Sequence, residues 1–180
     1  MILITGNSTL AIALQNHLQD SVIAGRPTYD FKSKQDCNKL IKDFPSPQIV
    51  INTFADIELD PWDSLITNLV APIYLTDQYY QQLRIGQIIN ISSTSAWWPS
   101  YPGIDDNRFF YNLSKFSLSE FGRQYNRKVV DESKNVVVTT IEIGKFQSPM
   151  SNFAGISIDK VVELVKTAID QKCNWLSAIR

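Results

Sequence analysis

Short apolar runs separated by helix-length amphipathic stretches constrain this chain more than any other feature. Ile2–Thr5, Val22–Ala24, Ile49–Asn52, Gln87–Ser92 and Val136–Ile143 read as strands. Ser8–Leu18, Ser33–Phe44, Pro61–Leu83 and Phe109–Val130 lie between them and read as helices, followed by a helix over Ile158–Asp170 and a final edge strand over Trp175–Ile179. The boundaries carry their own signals. Ser33 and Asp60 stand where N-caps belong, Pro61 occupies the first helical position, and Ser157 precedes the last helix. Pro72 should bend the long helix it interrupts. Strands alternating with helices indicate an α/β domain built on a parallel sheet. A length of 180 residues suits one domain over the whole chain with one core, and no repeat, low-complexity tract or linker divides it.

Composition removes several classes of function. Lys and Arg number 17 against 18 Asp and Glu, so there is none of the basic excess of a general nucleic-acid binder. No apolar stretch approaches the ~18 residues that would span a bilayer. The opening Met1-Ile2-Leu3-Ile4-Thr5-Gly6 has no basic start and reads as a strand rather than a signal peptide. Cys37 and Cys173 lack metal-type spacing and read as reduced thiols of a cytoplasmic protein. The single histidine, His17, rules out a His-rich zinc site within one chain and reads as a polar-face helical residue.

Tyr111 and Lys115 are four apart on a predicted helix and therefore share a face. A cation beside a phenol favours the phenolate and lowers the tyrosine pKa, which would make Tyr111 a usable acid near neutral pH. Ser93, just past a strand, can add a hydrogen bond to the same substrate oxygen. The one long irregular stretch, Thr94–Arg108, lies between Ser93 and Tyr111, where a pocket wall would stand. Its Trp97, Trp98 and Tyr101 could line a substrate pocket, pack the loop onto the domain, or form a subunit contact.

Taken together and in order, these features resemble the short-chain dehydrogenase/reductase family over Met1 to about Met150. Ile4-Thr5-Gly6 is similar to the family's opening strand and glycine turn, and Ile51-Asn52-Thr53-Phe54-Ala55 to its Asn-Asn-Ala-Gly strand end. Asn68 in Asn68-Leu69-Val70-Ala71-Pro72 resembles the active-site asparagine segment, and Ile89-Asn90-Ile91-Ser92-Ser93 the strand that delivers the serine. Tyr111-Asn112-Leu113-Ser114-Lys115 matches Tyr-x-x-x-Lys. Ile143-Gly144 with Ser148-Pro149-Met150 resembles the segment after the sixth strand. The resemblance implies a Rossmann-like, doubly wound parallel sheet.

It also implies roles. Tyr111 would exchange the proton with the substrate oxygen, Lys115 would lower its pKa and hold the nicotinamide ribose, Ser93 would position the oxygen, and Asn68 would hold a water of the proton relay. Ser92 and Ser95 stay open as alternatives to Ser93, because the gap to Tyr111 is wide. Gly6, Asn7, Ser8, Thr9, Leu10, Arg26, Asn52, Thr53, Phe54, Ile143, Gly144 and Ser148, with Tyr111 and Lys115, would contact the cofactor. Arg26 after the second strand suits the 2′-phosphate of NADP, with NAD as the alternative, and Asp30 could touch the adenine.

The chain departs from the family pattern in three places. The turn from Thr5 to Ala13 keeps only its first glycine, and Leu10 and Ile12 stand near the later ones. Residues 26–29 leave no room for a crossover helix, which needs about a dozen residues, so the usual third strand should be missing. Ser151–Ser157 leaves no room for substrate-covering helices, and beside this third departure the resemblance leads one to expect a shortened C-terminal tail. The expected activity is hydride transfer between NADP(H) and a small carbonyl or alcohol. The rivals are a nucleotide-binding pseudoenzyme or interaction protein, and a sugar-nucleotide epimerase or reductase. The long helices, with Leu65, Leu69, Tyr74, Tyr79 and Tyr80 on one and Phe116, Phe121, Tyr125 and Val129 on the other, should form a homo-oligomer, a dimer in preference to a tetramer. No nucleic-acid or membrane partner is expected.

Overall fold

The computed structural model describes residues 1–56, 60–94, 106–128, 134–173 and 175–178. Six parallel strands form one sheet: β1 (Ile2–Thr5), β2 (Ser21–Ala24), β3 (Ile49–Asn52), β4 (Ile85–Ser93), β5 (Asn135–Ile143) and β6 (Trp175–Ala178), in the order β2-β1-β3-β4-β5-β6. The expected strands are all present, β2, β4 and β5 starting earlier than expected. Helices α1 (Thr9–His17) and α6 (Ile158–Gln171) cover one face. Helix α2 (Lys34–Asp43), the composite α3 (Pro61–Leu65) and α4 (Ala71–Gln82), and α5 (Asp106–Lys128) cover the other.

Alternation along the buried strands builds both cores. Leu3, Val50, Ile88 and Val138 are register partners and face Leu40, Leu75, Tyr79 and Tyr125. Ile4, Ile51 and Ile89 point the other way, against Leu10, Leu14, Val161 and Val165. A sheet buried on both sides reads as continuous apolar runs. The chain leaves β2 through a loop into α2 and then β3, so β2 is the sheet edge and the usual third strand is absent, as the short 26–29 segment implies. After β5 comes only a 3₁₀ turn, Pro149–Ser151, before α6.

Ser33 and Asp60 cap as expected, Ser8 caps α1 rather than opening it, and Ser157 stands at the N-cap of α6 without a side-chain bond. The Ser8, Ser33 and Asp60 side chains accept from backbone N–H groups of the first turns of α1, α2 and α3. The long second-layer helix is not simply bent at Pro72. It is split by a π-turn over Ile66–Val70, in which the Ala71 N–H bonds back to the Ile66 carbonyl. Pro72 has no N–H to donate to Asn68, four residues back, or to Thr67, five back, so regular hydrogen bonding cannot run through this point.

Several residues expected on outer helix faces lie inside. Tyr79, Tyr80 and Tyr125 belong to the core, with Phe121 and Tyr74 packed against it. On α3, the π-turn and α5, the large apolar side chains exposed among the described residues are Trp62, Val70, Phe109, Leu113 and Phe116. Val129 and the loop residues Ser95, Trp97, Trp98 and Tyr101 lie outside the described residues. His17 is exposed with its Nδ1 2.8 Å from the Ala13 carbonyl oxygen. Both cysteines are free thiols. Among the described residues no helix is long and apolar enough to cross a membrane, and no group of His, Cys, Asp or Glu could hold a metal ion.

Candidate active site

The strand order reverses at β1, which lies between β2 and β3. In an open α/β sheet, a crevice forms at such a point, beyond the carboxyl ends of the strands. Here it is a cleft of about 390 Å³ lined by Gly6, Asn7 and Ser8 after β1, Arg26, Asp30 and Phe31 after β2, Phe54, Ala55 and Asp56 after β3, and Thr67 of the π-turn. Gly6 takes φ +100°, and a Cβ there would lie 3.1 Å from Phe54 N and from Thr53 Oγ1. A side chain would strain this turn and crowd the β3 loop. Phe31 and Phe54 stack with centroids 4.3 Å apart. Thr67 Oγ1 is buried without a partner among the described residues. A glycine cradle at the N-terminus of α1, a flat apolar wall and an unpaired hydroxyl fit one end of a dinucleotide.

Of the residues expected to touch a cofactor, Gly6, Asn7, Ser8, Arg26 and Phe54 line this cleft. The others have different surroundings. Leu10 is 2% exposed and packs in the α1–α6 core, filling the place of a close-packing glycine, whereas Ile12 points outward at 53%. Thr9 is exposed on the first turn. Thr53 donates its hydroxyl to the Thr5 carbonyl at 2.8 Å. Asn52 donates to Asn90 Oδ1 at 2.8 Å and accepts from Thr5 Oγ1 at 2.8 Å. Ile143 is core, Gly144 follows it, and Ser148 caps the 3₁₀ turn. Phe31, Ala55, Asp56 and Thr67 were missed by sequence reasoning. None carries a motif, and only the strand order shows that the loops after β2 and β3 face each other.

The second constellation lies at the end of β4. The Tyr111 hydroxyl is hydrogen-bonded to the Ser93 side chain, and Lys115 Nζ lies 5.8 Å from the Tyr111 ring centroid. The structure thus brings Ser93, Tyr111 and Lys115 together. Ser92 serves the packing of the layers instead. Its Oγ donates to the Lys115 carbonyl at 2.8 Å and accepts from Ser119 Oγ at 2.8 Å, fastening α5 to β4.

Electrostatics at this point differ from the simple expectation of a cation lowering the phenol pKa. Burial pushes Tyr111 up, and the Ser93 hydrogen bond offsets only part of that. Lys115 is 2% exposed, donates to the Ile91 carbonyl at 3.0 Å, and is itself pushed down by desolvation to about 7. A lysine near half-charge at neutral pH, bonded to a carbonyl and placed by the ring face, does not supply a full cation to the hydroxyl. Tyr111 is held as the protonated acid.

Asn68 is fully buried in the π-turn. Its Nδ2 donates to the Asp56 carbonyl at 2.8 Å and to Ser64 Oγ at 3.1 Å, and its Oδ1 accepts from the Asp56 N–H at 2.9 Å. The side chain expected to hold a water toward Lys115 latches the β3 loop to the helical layer.

The architecture superposes on solved dehydrogenases along nearly its whole length. The fold is that of the short-chain dehydrogenases/reductases. A short-chain dehydrogenase from Burkholderia cenocepacia J2315 in complex with NADP matches 99% of this chain and 88% of its own at a TM-score of 0.79 and 14% identity. A mutant 4-hydroxyisoleucine dehydrogenase complexed with NADH and succinate matches 99% and 96% at 0.82 and 17%. A GDP-L-fucose synthetase from Naegleria fowleri matches 81% of this chain but 54% of its own, at 0.64 and 21%. At these identities the likeness is one of short-chain dehydrogenase fold. No protein-family model and no curated protein matches the chain.

Proposed function

We propose that this chain is an NADP(H)-dependent oxidoreductase that interconverts a small carbonyl and its alcohol. The observation that carries the reading is the Ser93–Tyr111 hydrogen bond beside buried Lys115, at the strand end of a fold shared with NADP- and NADH-bound dehydrogenases. Gly6, Asn7, Ser8, Arg26, Phe31 and Phe54 would hold the cofactor, with NAD as the alternative. The bound nicotinamide supplies or accepts the hydride. Ser93 and Tyr111 already converge, so a substrate oxygen placed between them would receive both hydroxyls. Tyr111, held protonated, gives its proton to that oxygen during carbonyl reduction. Lys115, beside the Tyr111 ring, would return a proton to the phenolate and would itself be reprotonated from solvent before the next turnover.

A Tyr111→Phe variant tests the reading. Turnover, followed at the NADPH absorbance band with a panel of carbonyls, should fall about 10²–10⁴-fold, while NADPH affinity by fluorescence stays within about twofold. Retained turnover would refute the role of Tyr111. Failure of the wild type to bind either cofactor would refute the whole reading.

The pseudoenzyme reading has one observation in its favour: Lys115 bonds the Ile91 carbonyl rather than the Tyr111 hydroxyl. NADPH binding with no turnover would support it. The sugar-nucleotide reading is weakened by the short span of the fucose synthetase that this chain covers. We also propose a homodimer joined through the α3–α4 and α5 layers, supported by outward Trp62, Val70, Phe109, Leu113 and Phe116. The free thiols of Cys37 and Cys173 suit the reducing cytoplasm.

A further inference from the structure

The two loops that frame the nucleotide cleft are joined by an ion pair. Arg26 Nη2, after β2, lies 3.6 Å from Asp56 Oδ2, after β3, and both residues line the cleft. The pair is partly open to solvent, at 53% and 26% side-chain exposure. Its main chains are anchored independently. The Arg26 carbonyl accepts from Asn7 Nδ2 at 3.2 Å, and the Asp56 N–H and carbonyl are both bonded to Asn68. The ion pair itself is made by the side chains alone. Asp30 also lines the cleft, so among the described residues its charged lining is one guanidinium against two carboxylates.

That balance bears on cofactor choice, on the footing that the cleft holds a dinucleotide as proposed. A 2′-phosphate must take Arg26 from Asp56 while being repelled by both acids. A ribose 2′-hydroxyl carries no charge and can donate to a carboxylate. We infer that Asp56 is a cofactor-specificity residue: its carboxylate offsets the attraction of Arg26 for a 2′-phosphate, so the chain discriminates only weakly between phosphorylated and unphosphorylated dinucleotides. An exposed pair holds its partners by about fivefold at most, so the phosphate still competes for Arg26, and the expected preference of the wild type for NADP is below about tenfold.

The test is calorimetric titration with 2′,5′-ADP and 5′-AMP, which differ at the 2′ position and need no turnover. Asp56→Asn keeps the shape of the side chain and the backbone bonds to Asn68. It should tighten 2′,5′-ADP about five- to tenfold and leave 5′-AMP within about twofold. In an Arg26→Ala background the same substitution should give less than half that gain on a logarithmic scale. An unchanged 2′,5′-ADP affinity, or an equal change for both probes, overturns the inference while leaving the cofactor reading intact. Failure of both probes to bind the wild type overturns both. Asp56→Ser, judged by the same criteria, replaces the asparagine variant if that variant does not fold.

Discussion

Lys115 is a buried amine whose presence costs stability, and replacing it with methionine should reveal how much. Burial displaces its pKa from 10.5 to about 7, which corresponds to about 5 kcal/mol at about 1.4 kcal/mol per pH unit. The folded pKa is the depressed one. Between pH 7 and 10.5 the unfolded chain therefore binds more protons, and stability rises with pH through that window. Below pH 7 the whole penalty is present. Methionine fills the same volume without the charge, but it forfeits the bond to the Ile91 carbonyl, a loss of about 1–3 kcal/mol. Lys115→Met should therefore be more stable than the wild type by about 2–4 kcal/mol at pH 6, and less stable by about 1–3 kcal/mol above pH 10.5. Urea unfolding of both proteins at pH 6, 8 and 10.5 measures this, provided the m-values agree. An unstabilised variant at pH 6, or a difference that does not shrink with rising pH, would refute the desolvation argument. The same variant should have lost turnover under the proposed function. A residue that destabilises the fold and is needed for activity is the expected signature of a functional buried lysine.

Two other perturbations test the frame around the site. Asn90→Leu leaves Asn52 Nδ2 and the Thr76 hydroxyl without their buried partner, so chemical denaturation should show a loss of about 2–5 kcal/mol, and a loss under 1 kcal/mol would show the network to be dispensable. Trp62→Glu combined with Phe116→Glu should convert the proposed dimer to a monomer by light scattering at micromolar concentration without changing the circular dichroism spectrum, since both side chains are exposed in the single chain; a wild type that is already monomeric ends the dimer proposal.

The elements were legible in the sequence because their signals are local. Ser33, Asp60 and Pro61 mark helix starts whatever surrounds them, and Ile49–Asn52 is apolar enough to require burial on both sides. Tyr111 and Lys115 could be paired from spacing alone. What the sequence concealed depends on partners distant along the chain. Tyr79 and Tyr80 are consecutive, so an amphipathic pattern cannot say which faces the sheet; both do because Phe44 and Tyr125 come to meet them. Pro72 announces a disturbed helix, but the shape of the disturbance depends on Asn68 reaching Asp56 across the layer. The direction of the Tyr111 pKa could not be read from spacing, because it is set by how deeply the hydroxyl lies and by where Lys115 Nζ finds its acceptor.

The buried polar residues of the strands explain how the two halves of the site stay aligned. Thr5, Asn52, Asn90 and Thr140 are register partners across β1, β3, β4 and β5, one pleat beyond the apolar rung of Leu3, Val50, Ile88 and Val138. Thr5, Asn52 and Asn90 are joined by side-chain hydrogen bonds, and Thr76 of α4 closes the network. A slip of one residue in β3 or β4 would turn Asn52 or Asn90 toward α1 or α6 and Ile51 or Ile89 toward α4, and would leave the amides unpaired, while a slip in β1 would withdraw Thr5 from Asn52. Apolar packing alone would not punish such a slip, since the strands are apolar on both faces. The amides do punish it. Their register places Gly6 beside Phe54 on one side of the network, and on the other carries β4 three residues past Asn90 to Ser93, where the Tyr111 hydroxyl meets it. This network can in this way determine whether the cleft and the serine–tyrosine pair fall on the same edge of the sheet.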